Sequence, residues 1–223
     1  MLLVIDGLIT VAELDQLRSR FAKAHFGDGR VTAGALAAEA KRNLQLPEDS
    51  EDARAMARLV GDALKRNDKF VSAALPRAVY PALFNRYAPG MGFEAHLDNA
   101  IRFGAMTLRA DISGTLFLSG PDEYQGGTLV IEDTYGAQRV KLSAGSLVLY
   151  PSSSLHRVEP VTQGTRDVAV FWVQSLVRED SQRSLLFALD QAIQSLRARA
   201  PDSPEIQALA NAYHNLIRMW AEI

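Results

Sequence analysis

The chain has 223 residues, 48% of them hydrophobic and 22% charged, with a formal net charge of −2. This is the composition of a soluble globular protein with one large domain, or a domain with appendages, and no broad basic surface for neutralising nucleic-acid phosphates. Cysteine is absent, which excludes a disulfide framework and thiolate nucleophiles and leaves zinc only nitrogen and oxygen ligands.

The N-terminus reads Met1-Leu2-Leu3-Val4-Ile5-Asp6, with no basic segment before its apolar run. That run is too short for a secretory signal or a membrane span, so no membrane association is expected and the cytoplasm is the expected location. Residues 1–75 form a helical support region. Thr10-Val11-Ala12-Glu13 has the capping-box pattern, and Val11, Leu14, Leu17 and Phe21 fall on one helical face. A second helix carries Met56, Leu59, Val60, Ala63 and Leu64, and residues 27–47 between the two read as mixed and loop-rich.

Residues 76–177 change character. Short runs at Thr115–Leu118, Thr128–Glu132, Ser146–Tyr150 and Val168–Val173 alternate with Gly, Pro, Asn and Asp. Strands at this spacing predict a sandwich or barrel, and a two-sheet jelly roll is the expected architecture. Gly126-Gly127 reads as turn chemistry. No GxGxxG or GKS/T motif opens a helix to cradle a phosphate. Residues 178–223 return to helix, with apolar stripes Leu185, Leu186, Leu189, Ile193, Leu196 and Ile206, Leu209, Tyr213, Leu216, Ile217, Trp220. Ser203-Pro204 looks like a cap followed by proline at the first helical position. The stripes could close the open side of a sheet or form a homodimer seam, and packing is the commoner use. The fold class expected is therefore α+β, with a β core flanked by N-terminal and C-terminal helices.

Four histidines are present: His25, His96, His156 and His214. His25 and His214 sit in the helical blocks without paired ligands and read as non-catalytic. His96 and Asp98 are two residues apart in the strand-rich block, and residues i and i+2 of a strand point to the same side. Together with His156 they could occupy one face of a metal and leave the other positions open, as in non-haem Fe(II) oxygenases. A surface His–Asp pair plus a core histidine would give the same pattern.

The surrounding motifs carry more. The stretch Phe84-Asn85-Arg86-Tyr87-Ala88-Pro89-Gly90-Met91-Gly92-Phe93-Glu94-Ala95-His96-Leu97-Asp98-Asn99-Ala100 is followed by Gly114-Thr115-Leu116-Phe117-Leu118-Ser119 and Tyr124-Gln125-Gly126-Gly127-Thr128-Leu129. Then come Gly145-Ser146-Leu147-Val148-Leu149-Tyr150-Pro151, Ser154-Leu155-His156-Arg157-Val158 and Gly164-Thr165-Arg166. This ordered series resembles the bacterial PKHD-type branch of the prolyl/lysyl-hydroxylase-type Fe(II)/2-oxoglutarate dioxygenases, most strongly over residues 76–177.

The resemblance implies a double-stranded β-helix. It implies His96, Asp98 and His156 as iron ligands, Arg166 as the partner of the distal carboxylate of 2-oxoglutarate, and Tyr87 as a hydrogen-bonding partner of that co-substrate. A guanidinium suits the task because its planar fork meets a carboxylate with two parallel bonds. From the residues alone, a strand-end arginine snorkelling to water is the favoured reading of Arg166. The implied reaction consumes O2 and 2-oxoglutarate, releases succinate and CO2, and hydroxylates a C–H bond, with ascorbate as an external reductant. The substrate expected is a peptidyl or free amino-acid side chain or an iron-uptake-related small molecule, with residues 120–125 and the block before residue 76 shaping its access. A non-catalytic iron or 2-oxoglutarate sensor, or a jelly-roll binding module, is the alternative.

Overall fold

A computed structural model describes residues 2–32 and 40–223. Among these residues the helices are α1 (Val11–Lys23), α2 (Glu51–Lys65), α3 (Asp68–Ala74), α4 (Asp180–Arg199) and α5 (Glu205–Trp220). Most strands lie between the third helix and the fourth in sequence, and the two larger antiparallel sheets also recruit short strands from before Glu51. The main, eight-stranded sheet runs Leu3–Ile5, Leu147–Pro151, Ile112–Phe117, Arg166–Ser175, Leu83–Tyr87, Leu44–Gln45, Gly27–Asp28, with Pro76–Val79 paired to the far end of Arg166–Ser175. The smaller, five-stranded sheet runs Gln138–Val140, Leu129–Ile131, His156–Val158, Gly92–His96, Lys41–Arg42.

The period-2 alternation of the strands sorts their side chains into two cores. Tyr87, Phe117, Val148, Tyr150 and Val168 of the main sheet cluster with Leu129, Ile131, Val140 and Val158 of the smaller one, filling the space between the sheets. Their sequence neighbours Leu116, Leu147, Leu149, Ala169 and Phe171 point the other way and meet Leu17, Phe21, Met56, Val60, Leu64 and Phe70 of α1–α3. The double-stranded β-helix and the flanking helices thus match the expectation, and the runs Thr128–Glu132 and Ser146–Tyr150 are found within one residue at each end, whereas the strand expected at Thr115–Leu118 begins three residues earlier, at Ile112. The fourth, Val168–Val173, is the middle of a ten-residue strand.

The helices follow their sequence signals, with exceptions. Thr10 and Glu13 form the reciprocal capping box, but Val11, expected on the buried face, is 77% exposed. Leu186 and Ile193 of α4 are buried, whereas Leu185 is exposed. Pro204 occupies the cap itself and α5 begins at Glu205, one residue later than read. The stretch expected to be loop-rich is the larger correction. Leu44–Gln45 pairs with Leu83–Tyr87 in the main sheet, and Lys41–Arg42 pairs with Gly92–His96 in the smaller one, so five consecutive residues tie the two sheets together on one side. Two-residue strands carry too little alternation to be read from sequence.

The C-terminal helices pack on Leu75 and Val177 through Leu186, Tyr213, Leu216, Ile217 and Trp220. Arg183 is buried there, with its guanidinium donating to the carbonyls of Val177 and Arg178. Arg109, at the base of the hairpin Ile101–Arg102/Leu108–Arg109, pairs with Asp111 at 2.7 Å and with Glu222 at 2.6 Å. No helix among the described residues is long and apolar enough to cross a membrane.

Gly114 is closely packed in the main sheet. A Cβ there would lie 2.4 Å from Cζ of Phe171, the residue directly opposite on the neighbouring strand. Gly114→Ala is expected to destabilise the fold by about 1–3 kcal/mol, the usual cost of overpacking a filled core. Urea denaturation of variant and parent measures it.

Candidate active site

His96 ends the strand Gly92–His96 and His156 begins the strand His156–Val158, and the antiparallel register sets the two directly opposite each other. Their ring centroids are 4.3 Å apart. Asp98 follows on the segment after the first strand, with Oδ2 3.8 Å from Nε2 of His156. One ligand atom from each of the three residues lies within 4.8 Å of the other two, so the set could hold a metal ion. His156 is buried, and His96 and Asp98 are half-buried.

Both rings are oriented by backbone carbonyls. Nδ1 of His96 lies 2.8 Å from the Glu94 carbonyl and Nδ1 of His156 lies 3.0 Å from the Ser154 carbonyl. A carbonyl can only accept, so each Nδ1 carries the proton and each Nε2 lone pair is free for a metal. Phe93 stacks on His96 at 3.5 Å, and the edge of Tyr150 meets His156. Burial, and next the neighbouring His156, hold the His96 pKa below its ordinary value, which keeps the ring neutral as metal ligation requires. Asp98 has its own support: Ser113 Oγ donates to Oδ2 at 2.5 Å and lies 2.8 Å from Ser152 Oγ. Both serines are buried.

Arg166 opens the long central strand, and its Cα partner on the adjacent strand is Tyr87. Two charged residues of this strand pair behave differently. Arg86, opposite Asp167, forms a bidentate ion pair with it at 2.8 Å. Arg166 is only 1% exposed, and its Nε and Nη1 have no hydrogen-bond partner. Its guanidinium carbon lies 5.1 Å from the Tyr87 ring centroid and 5.4 Å from that of Phe117. The snorkelling alternative is thereby excluded, since this side chain runs inward. Burial raises the Tyr87 pKa against the opposing charge of Arg166, so its hydroxyl keeps its proton.

His96, Asp98, His156, Arg166 and Tyr87 all line one pocket between the sheets. The structure therefore gathers every site residue read from the sequence, and it leaves His25 and His214 outside. It also adds residues that the sequence reading missed. Ser113 and Ser152 support Asp98, and Lys41, Arg102 and Trp172 line the pocket. Lys41 donates to Gln45, and burial pulls its pKa down to about 8. Ser113 was detectable in principle, because it shares the inward face of its strand with Thr115. Residues 120–125 contribute Tyr124, whose buried hydroxyl lies in the field of Arg166, and they do not line the pocket.

Comparison with known proteins decides the family. Residues 82–174 match the 2OG-Fe(II) oxygenase superfamily and residues 180–222 match the PKHD-type hydroxylase C-terminal domain. A PKHD-type hydroxylase of Xanthomonas campestris pv. campestris is 54% identical over the full length of both chains, and one of Gluconobacter oxydans is 53% identical, again over both full lengths. The chain belongs to the PKHD-type hydroxylases. It is accordingly an Fe(II)- and 2-oxoglutarate-dependent oxygenase.

Solved structures agree on the fold of this hydroxylase family. A prolyl hydroxylase from Trichoplax adhaerens, in complex with a peptide fragment, has a TM-score of 0.57 at 14% identity, covering 82% of this chain and 86% of that one. A Pseudomonas putida prolyl-4-hydroxylase has a TM-score of 0.52 at 20% identity, covering 78% and 92%. HygX from Streptomyces hygroscopicus, with nickel and 2-oxoglutarate bound, has a TM-score of 0.53 at 15% identity, covering 80% and 84%.

The hydroxyl chain on Asp98 generates a test. Ser113→Ala removes the donor that orients Asp98 Oδ2, and metal affinity is expected to fall by about 10- to 100-fold with the fold intact, the usual consequence of losing a support behind a ligand. Metal titration under anaerobic conditions, alongside circular dichroism, measures both.

Proposed function

We propose that His96, Asp98 and His156 hold the Fe(II) of this hydroxylase, that Arg166 pairs with the distal carboxylate of 2-oxoglutarate, and that Tyr87 orients the same co-substrate. The observation carrying the reading is Arg166: a buried guanidinium with unpaired nitrogens, in the pocket that also holds a His/Asp/His set. A buried charge without a partner is costly, and a carboxylate entering the pocket would relieve it with charge-assisted bonds. The donor set suits Fe(II), being nitrogen and carboxylate ligands on one face with no thiolate.

When bound, Fe(II) supplies the O2-activating redox chemistry by which 2-oxoglutarate becomes succinate and CO2 and a substrate C–H bond becomes C–OH. The chain's own residues bind, orient and exclude water. The Nδ1–H groups of His96 and His156 keep both Nε2 atoms turned to the metal position. Ser113 fixes which oxygen of Asp98 faces it. Arg166 and Tyr87 set the depth and direction in which 2-oxoglutarate enters. Phe93, Tyr150 and Leu129, all on the pocket wall, keep the space between these groups dry, which strengthens each charged contact. The substrate we favour is an amino-acid side chain, free or peptidyl, or a small iron-uptake-related molecule. The helical stripes of α4 and α5 pack mainly within the chain, and we read the protein as needing no second copy to complete the pocket.

Asp98→Ala and His156→Ala are each expected to abolish most iron binding while the fold survives, and iron analysis of anaerobically prepared variants checks this. Iron content equal to the parent in both would refute the ligand assignment.

Arg166→Ala is expected to weaken 2-oxoglutarate binding by about 2–5 kcal/mol, the range for truncating one partner of a buried charge pair, with metal affinity changed far less. Calorimetry on metal-loaded protein reads the two separately. A succinate assay with ascorbate present, across amino acids, peptides and siderophore-like compounds, then tests turnover, with Asp98→Ala as the inactive control. Parent turnover indistinguishable from that control, with metal and 2-oxoglutarate bound, would favour a sensor.

A further inference from the structure

The pocket holds a second guanidinium that the proposed chemistry does not use. Arg102 lies on the hairpin Ile101–Arg102/Leu108–Arg109 and lines the pocket beside Trp172. Its guanidinium carbon stands 4.0 Å from the centroid of the Trp172 ring and 5.3 Å from that of Tyr80, and the Tyr80 and Trp172 rings meet edge to face. Among the described residues no carboxylate pairs with it, and its buried Nε has no hydrogen-bond partner. The nearby Glu48 instead accepts from the Tyr80 hydroxyl at 3.1 Å. Trp172 is 8% exposed, and its indole N–H is likewise buried and unpartnered.

These groups can only donate. Stacking on aromatic faces fixes the plane of the guanidinium and lowers the entropy lost when its fork engages a ligand. The charge balance gives the same answer. The two carboxylates of 2-oxoglutarate match the positive charge left by a divalent metal, Asp98 and Arg166. Arg102 remains. An uncharged substrate would leave the buried Nε of Arg102 and the indole N–H of Trp172 unanswered, at a cost that a well-chosen acceptor removes.

We infer that the primary substrate carries a carboxylate, held by Arg102 and the indole N–H of Trp172 while its target carbon reaches the metal. The inference rests on the metal and co-substrate assignment above. The carboxylate could belong to a free small acid or to an acidic residue of a peptide, and the test separates these sources.

The protein has two tryptophans, so Trp220→Phe leaves Trp172 as the sole indole reporter. This variant, loaded with Ni(II) and saturated with 2-oxoglutarate, is titrated with N-acetyl-aspartate and with the capped tripeptide Gly-Asp-Gly. N-acetyl-asparaginamide, in which both carboxyls are amides, and the equally capped Gly-Asn-Gly serve as neutral matches. A saturable change in Trp172 fluorescence is expected for the carboxylates alone, and the tighter of the two identifies the source. Arg102→Gln is expected to weaken that binding by about tenfold or more, as loss of one charge-assisted contact implies, while nickel and 2-oxoglutarate affinities stay at parent values. Equal response to acid and amide, no response to either acid, or unchanged acid affinity in Arg102→Gln would overturn the inference. A loss of 2-oxoglutarate affinity in Arg102→Gln would overturn it too, and would reassign Arg102 to the co-substrate. Calorimetry of Arg166→Ala separately tests the co-substrate assignment, so the two failures are distinguishable.

Discussion

The cost of burying Arg166 is the constraint around which the pocket is built. Moving a guanidinium out of water costs several kcal/mol unless a partner answers it, and this one is 1% exposed with two nitrogens unanswered. The aromatic rings of Tyr87 and Phe117 offset part of that cost. The remainder is tolerable because the strand bearing Arg166 is the most heavily anchored in the molecule. It pairs with Ile112–Phe117 on one side and Leu83–Tyr87 on the other, and Pro76–Val79 extends that second side. A charge left unsatisfied on a frayed edge would pull its strand outward to water. On this central strand it stays in place and binds ligand strongly when ligand arrives.

The same register logic builds the metal end. Antiparallel pairing places His96 against His156 and Arg166 against Tyr87, so two strand pairs, one in each sheet, aim four side chains at one volume. Only Asp98 stands outside a strand, and it is the residue given an extra hydroxyl chain through Ser113 and Ser152. Support is concentrated where the backbone is least constrained.

Much of this was legible in the sequence because strands announce themselves by alternation and because His96, Asp98, His156 and Arg166 sit inside a recognisable series of motifs. The capping box at Thr10 was equally readable, since a cap is a local interaction. The reading failed where structure depends on distant partners. Nothing in Lys41–Gln45 says that its two-residue strands join different sheets. The exposed Val11 and Leu185 fit a helical stripe as well as Leu17 and Leu186 do, and only the position of the neighbouring layer separates them. Arg102 carries no motif at all. Its role emerges from Trp172, seventy positions later in the chain, folding back beneath it.

The brace at Arg109 has a consequence for how this enzyme could diversify. Arg109 closes the hairpin that carries Arg102, and it is gripped by Asp111 from the sheet and by Glu222 beyond the last helix. Among the described residues no ion pair joins His96, Asp98 or His156 to the C-terminal region; the brace reaches them only indirectly, through the Ser152 N–H that donates to the Asp111 carbonyl at 3.1 Å. Sequence drift in α4, α5 and the residues after them can therefore tilt the hairpin, and with it the opening through which substrate passes, more directly than it moves His96, Asp98 and His156. The helical appendage acts as a tuning arm, able to shift which molecule is accepted while the oxidative core is inherited unchanged.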